Sequence, residues 1–258
     1  MSSMTEEVRG GVRDHVSAAE WNTRVQLAAS YRALALLGVA DFTYNHLSAR
    51  VPDAPDHVLV KAEDQLFDEI TASSLLKYDL DGNKVLGEGS LSRGGLVIHL
   101  GILQGRPDLN AVFHTHTPAN MAVSAQKCGL LSITQHSVRF HNRIRYHDFG
   151  GFEFDFEGRK ALLDSLGDQY AMIMRSHGVL VAGRTIPEAY VKHHFLEMSC
   201  RAQVGALTGG LDNVDIIAED VAEHAAQQAD RRPPPDQNHR DWKALIRQVD
   251  THASSYRY

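Results

Sequence analysis

A chain of 258 residues, 43% hydrophobic and 22% charged, carries enough apolar material for one large α/β domain or two small ones. Its 32 acids against 26 bases leave a formal charge of −6, which argues against a nucleic-acid partner. No apolar run approaches the roughly 18 residues of a membrane span, the first residues lack a signal-peptide core, and two cysteines, Cys128 and Cys200, cannot build a disulfide framework. A cytoplasmic protein with no membrane partner is expected.

The first helix is predicted to start at Ser17, because Ser17-Ala18-Ala19-Glu20 fits a capping box, and to stop at Gly38. Residues 42–50 read as a loop leading into a strand, and His57 to Val60 as a second strand. Leu75 to Leu86 reads as a hairpin turning at Asp81-Gly82-Asn83. Arg93 to Gly105 has helical spacing, with Leu96, His99, Leu100 and Leu103 on one face. A strand over Ala111 to His116 follows, then a helix opened by Pro118. Two strands are expected within 132–147, and a short helix from Gly158 to Leu166. Two buried strands flank His177, and a long helix begins near Pro187. Residues 229–240, with three consecutive prolines, read as a linker. The last piece, around Trp242, Leu245 and Ile246, reads as a docking helix. Alternating strands and helices indicate α/β layers.

The most informative group is His114-Thr115-His116. On a strand, residues two apart share a face, so both imidazoles aim at one point. His177 sits where an apolar strand runs into a turn. Three neutral imidazoles with an open position describe a catalytic metal site. The competing reading is a pair of hydrogen-bonded core histidines, since the chain has 15. His99 is open to the same two readings. His193-His194 point in different directions along a helix, and the His-Glu-x-x-His signature is absent. Cys128 has no neighbouring base or positive run that would favour a thiolate.

In order along the chain, Asn45-His46-Leu47-Ser48-Ala49-Arg50, Asp79-Leu80-Asp81-Gly82, His99 to Pro107, Val112-Phe113-His114-Thr115-His116 and Ser176-His177-Gly178 resemble the class II aldolase/adducin family. The similarity spans roughly residues 22 to 208, and the 68–75 stretch is similar to the adducin-head-like bacterial branch. The resemblance implies a three-layer α/β/α fold with a mixed, largely antiparallel central sheet. It also implies a homotetramer with sites at subunit interfaces, and Zn, or alternatively Mn or Fe, on His114, His116 and His177. The chain then divides into an N-terminal extension (1–21), the family domain (22–228), the linker (229–240) and a tail with a short helix (241–258).

Two departures shape the functional expectation. The acidic residue that family aldolases carry four positions before the helix histidine is Gly95 here, so His46, Tyr146 or a neighbouring subunit must move the proton. The phosphate-binding turn is replaced by Lys61-Ala62-Glu63-Asp64-Gln65, whose acids disfavour a phosphorylated substrate. Asn45 and Ser48 keep the family spacing and are candidates for substrate contact, as is Arg93 in the role of a carboxylate clamp at a helix start. The expected activity is metal-dependent retro-aldol cleavage or decarboxylation of a small non-phosphorylated hydroxy or keto acid. The alternatives are a non-catalytic, adducin-head-like oligomerisation module and a non-heme iron oxygenase.

Overall fold

The computed structural model of the protein describes residues 11–152 and 158–258, so the N-terminal extension expected over 1–21 lies partly outside the described residues. Helix α1 (Ala18–Leu36) starts at Ser17, whose hydroxyl oxygen accepts the Glu20 N–H at 3.0 Å. Glu20 does not close the capping box. Its carboxylate accepts from Arg24 and Lys77 at 2.9 and 2.8 Å, which tethers α1 to the sheet. The helix ends before Gly38, where φ is +66°.

Four strands follow: β1 (His46–Val51), β2 (Ala54–Val60), β3 (Leu76–Asp79) and β4 (Lys84–Leu86). The next helix comes in three pieces, α2 (Arg93–Gly95), a π-helical turn Leu96–Leu100 and α3 (Gly101–Gly105). Then come β5 (Ala111–Thr115), α4 (Pro118–Ala125), β6 (Ile144–His147), α5 (Gly158–Leu166), β7 (Ala171–Met174), β8 (Gly178–Gly183) and α6 (Ile186–Ala206). Helices α7 (Glu219–Asp230) and α8 (Arg240–Ala253) complete the order.

The strands form one eight-stranded sheet in the order β4-β3-β2-β1-β5-β8-β7-β6, antiparallel except between β6 and β7. Strand alternation divides its side chains between two helical layers. Leu47, Ala49 and Phe113 face α1, α6 and α8, while Val112, Leu180 and Ala182 face the 93–105 helix and α5. The result is a three-layer α/β/α fold. No described helix is long and apolar enough to cross a membrane.

Two readings of the sequence need correction. Of the two strands expected within 132–147, only β6 forms. Ser137 Oγ accepts the amides of Ile133 and Thr134 at 3.0 and 2.9 Å, so this stretch satisfies its own backbone and turns through a 3-10 segment, Ser137–Phe140. The segment expected to be irregular from residue 229 instead begins inside the last turn of α7, and residues 231–239 carry no helix or strand. The piece beyond it folds back on the chain's own core. Trp242, Leu245 and Val249 are buried among α1 and α6 residues, with the Trp242 ring 5.9 Å from that of Tyr190. The terminus is stitched down as well, since the Ala72 and Ser73 amides donate to the Tyr256 and Tyr258 carbonyls at 2.9 Å each.

Candidate metal centre

β1 and β5 pair with His46 opposite His114 and Ser48 opposite Val112. His114 therefore projects from the sheet towards the 93–105 helix, at 1% exposure. His116 lies just past the end of β5, and His177 in the β7–β8 turn. That turn is tight: Ser176 adopts φ +56°, and a Cβ on Gly178 would lie 2.6 Å from the Thr115 carbonyl and 2.8 Å from the His116 ring. Only glycine allows the His177 turn to approach β5 this closely.

The three Nε2 atoms converge, with His116 at 2.8 Å from His114 and 3.0 Å from His177. The opposite ring nitrogens explain why this suits a cation. His114 Nδ1 lies 3.0 Å from the Val179 carbonyl, which only accepts, so the proton sits on Nδ1. His116 Nδ1 faces Asp41 Oδ2 at 3.3 Å, which again favours the Nδ1 proton. Two Nε2 lone pairs are thus aimed at each other, a repulsion that a bound divalent ion would relieve. Burial pushes all three imidazoles below their ordinary pKa, His177 to about 4, which keeps them in the neutral, ligating form. Among the described residues, this is the one group of histidine, cysteine and acid side chains with metal-binding proximity.

A second row of polar groups lies beside the triad. Ser48 Oγ is 2.5 Å from His99 Nδ1, and His99 Nε2 is 2.6 Å from His46 Nδ1. The His46 ring is 5.1 Å from that of His114. His99 is fully buried, and desolvation pushes its pKa down to about 3. It sits in the π-helical turn, a feature often found at functional sites.

The other expected site residues are placed differently. Asn45 is fully buried and has no face for a substrate: Nδ2 donates to the Val39 carbonyl at 2.6 Å and Oδ1 accepts the His116 amide at 2.7 Å. Ser48 is likewise fully buried and engaged with His99. Substrate contact by these two is corrected to support of the histidines. Arg50 is spent on the Leu103 carbonyl in α3 and the Leu109 carbonyl ahead of β5. Arg93 stands exposed at the start of α2, where Ser92 caps the Gly95 amide. Tyr146, the other proton-transfer candidate, makes its contacts at the edge strand β6. Its hydroxyl accepts the Leu130 amide at 3.0 Å, and its ring lies under the Arg175 guanidinium.

Gly95 is buried, and a Cβ there would lie 2.7 Å from Leu91 Cδ1. A carboxylate at this position requires Leu91 to move. Asp41 and the Val179 carbonyl were invisible in the sequence, being 75 and 65 residues from the histidines they orient.

The model of the Class II Aldolase and Adducin N-terminal domain matches residues 25–204. A Caulobacter vibrioides protein provisionally named as an aldolase class 2 protein is 39% identical over 84% of this chain and 85% of its own length. Rat alpha-adducin is 35% identical over 84% of this chain, which spans 30% of that longer protein. An aldolase II superfamily protein from Pseudomonas syringae superposes with a TM-score of 0.91 at 42% identity, covering 96% of this chain and all of the other. The chain therefore belongs to the class II aldolase and adducin N-terminal domain family.

Proposed function

We propose that the protein is a metal-dependent carbon–carbon lyase acting on a small, non-phosphorylated hydroxy or keto acid. The observation that carries this reading is the convergence of the His114, His116 and His177 Nε2 atoms, with two of the opposite nitrogens tied to acceptors. A divalent ion bound there, Zn with Mn or Fe as alternatives, supplies Lewis-acid stabilisation of the charge that develops when a carbon–carbon bond breaks. His46 is the residue assigned to proton transfer. Its Nδ1 is occupied by His99, so its Nε2 is the atom left to hold or release a proton. The Ser48–His99–His46 row fixes the orientation of its ring. Decarboxylation makes the smaller demand on this arrangement, because it needs no acid at the position of Gly95.

The turn at 61–65 supports a non-phosphorylated substrate. Glu63 and Asp64 are exposed there, and the ammonium of Lys61 is turned onto three backbone carbonyls instead of outwards. Arg93, exposed at a helix start, is the assigned clamp for a substrate carboxylate. A homotetramer with interfacial sites is supported by Phe42 and Tyr44, which are 79% and 68% exposed in the loop that carries Asp41. Both cysteines are free thiols, in keeping with a reducing cytoplasm.

The test is elemental analysis of purified protein beside His116→Ala, followed by a screen of hydroxy and keto acids. Near-stoichiometric zinc or manganese lost in the variant, with turnover of an acid, supports the lyase. Iron redirects the screen to oxygen uptake. No metal in an intact oligomer overturns the catalytic reading. It would leave the non-catalytic module, which the absence of a carboxylate at Gly95 and the similarity to alpha-adducin favour.

A further inference from the structure

Lys61, just past the end of β2, is 1% exposed, yet among the described residues no carboxylate forms an ion pair with its ammonium. Nζ donates instead to three backbone carbonyls, Thr43 at 2.9 Å, Ala62 at 3.1 Å and Gln65 at 3.1 Å. An ammonium has three protons, so its donor capacity is filled. A buried cation held only by neutral dipoles is costly, and burial lowers its pKa to about 8 against the pull of Asp64 and Glu63. Nothing in the sheet's packing requires a charge at this position.

What the charge holds is informative. Thr43 is the midpoint of the loop 41–45, and both ends of that loop orient one imidazole. Asp41 Oδ2 faces His116 Nδ1, and Asn45 Oδ1 accepts the His116 amide. The loop's own backbone is tightly bent, with Phe42 at φ +41° and the Tyr44 amide donating to the Asp41 carbonyl at 2.9 Å. Phe42 and Tyr44 point outwards, so the loop has little apolar anchorage of its own.

We propose that Lys61 is a positioning residue of the metal centre, clipping the 41–45 loop to the sheet so that Asp41 and Asn45 hold His116 in its ligating orientation. The proposal rests on the metal-centre reading above. Among the described residues, the remaining titratable groups facing Lys61 are His46 from β1, whose protonation it disfavours, and Tyr31 from α1, whose hydroxyl lies against the Lys61 backbone. As Lys61 loses its proton above pH 8, one carbonyl loses its donor and the loop loosens.

The experiment compares zinc affinity of the wild type, Lys61→Met and Lys77→Met by chelator competition at pH 7 and pH 9. Lys77 is the control, a lysine that tethers α1 through Glu20 away from the histidines. Lys61→Met should bind zinc about tenfold more weakly at pH 7, in line with loss of support to a metal-ligating histidine. Its gap from the wild type should narrow at pH 9, while Lys77→Met should match the wild type at both. Equal affinity of folded Lys61→Met and wild type overturns the proposal and leaves the metal centre standing, whereas no zinc on the wild type overturns both. A second measurement needs no variant: hydrogen exchange of the His116 amide in the metal-free wild type. Its protection should fall between pH 7 and 9 relative to the Val112 and Phe113 amides; parallel protection overturns the proposal.

Discussion

His46 and His99 face each other across the gap between β1 and the π-helical turn, with Nδ1 of one 2.6 Å from Nε2 of the other. His46 cannot rotate without breaking this contact, and His99 cannot rotate without breaking both it and the one from Ser48. With the His46 ring held 5.1 Å from that of His114, the pair is suited to deliver a proton at one atom.

Replacing His99 by Phe should test this directly. The variant strands the Ser48 hydroxyl and His46 Nδ1 in a buried layer, at a cost of about 1–3 kcal/mol in stability. Turnover of any acid found in the screen should fall at least tenfold, with metal content unchanged. Undiminished turnover would remove the relay from the mechanism.

Asp41→Asn keeps the shape of the His116 partner but removes its charge. The expected result is metal affinity weakened about 10–100-fold, measured by chelator competition, with unchanged thermal stability of the metal-free protein. A variant that binds metal as tightly as the wild type would show that Asp41 does not orient His116.

Gly178→Ala brings a Cβ to 2.6 Å from the Thr115 carbonyl, backbone that cannot swing away. The β7–β8 turn should move off β5, costing about 1–3 kcal/mol and carrying His177 out of reach of His116. Chemical denaturation and metal content should both report the loss.

The histidine cluster also sets a pH dependence for the metal-free protein. Burial holds His99 near 3, His177 near 4 and His193 near 3, with His46 and His114 well below their ordinary value. The unfolded chain takes up these protons at about pH 6.5. Their neutral burial thus contributes stability that is fully present above that pH, and it is lost progressively as pH falls towards 4. The urea midpoint should drop between pH 7 and pH 5, and a flat profile would contradict the burial of these rings.

Trp242→Ala tests whether α8 is part of the fold. Trp242 is 3% exposed against Tyr190 and α1, so truncation should cost about 3–5 kcal/mol. A change below 1 kcal/mol would mean that α8 is not docked there in solution.

How much of this was legible in the sequence differs from one residue to the next. Local rules placed Ser17 as a helix cap, Asp81-Gly82-Asn83 as a hairpin turn and Pro118 as a helix start, because each depends on bonds within four residues. The same rules failed at 132–147, where Ser and Thr side chains compete with strand pairing, and at α7, whose two buried positions, Ala222 and Ala226, are small and give little signal.

By itself, the sequence determined the layered α/β class and the alignment of His114 with His116, because strand period and apolar spacing are properties of consecutive residues. It also showed that Gly95 and the 61–65 turn depart from the family pattern. The resemblance carried His177 to that pair as an expectation; only the tertiary structure decided that Asp41 and the Val179 carbonyl orient the pair's Nδ1 atoms, and that His46, His99 and Ser48 form one row. It also turned Asn45 and Ser48 from candidates for substrate contact into supports of the histidines. These outcomes depend on strand order and register, which bring together residues 50 or more positions apart, and spacing along a single chain carries no record of that pairing.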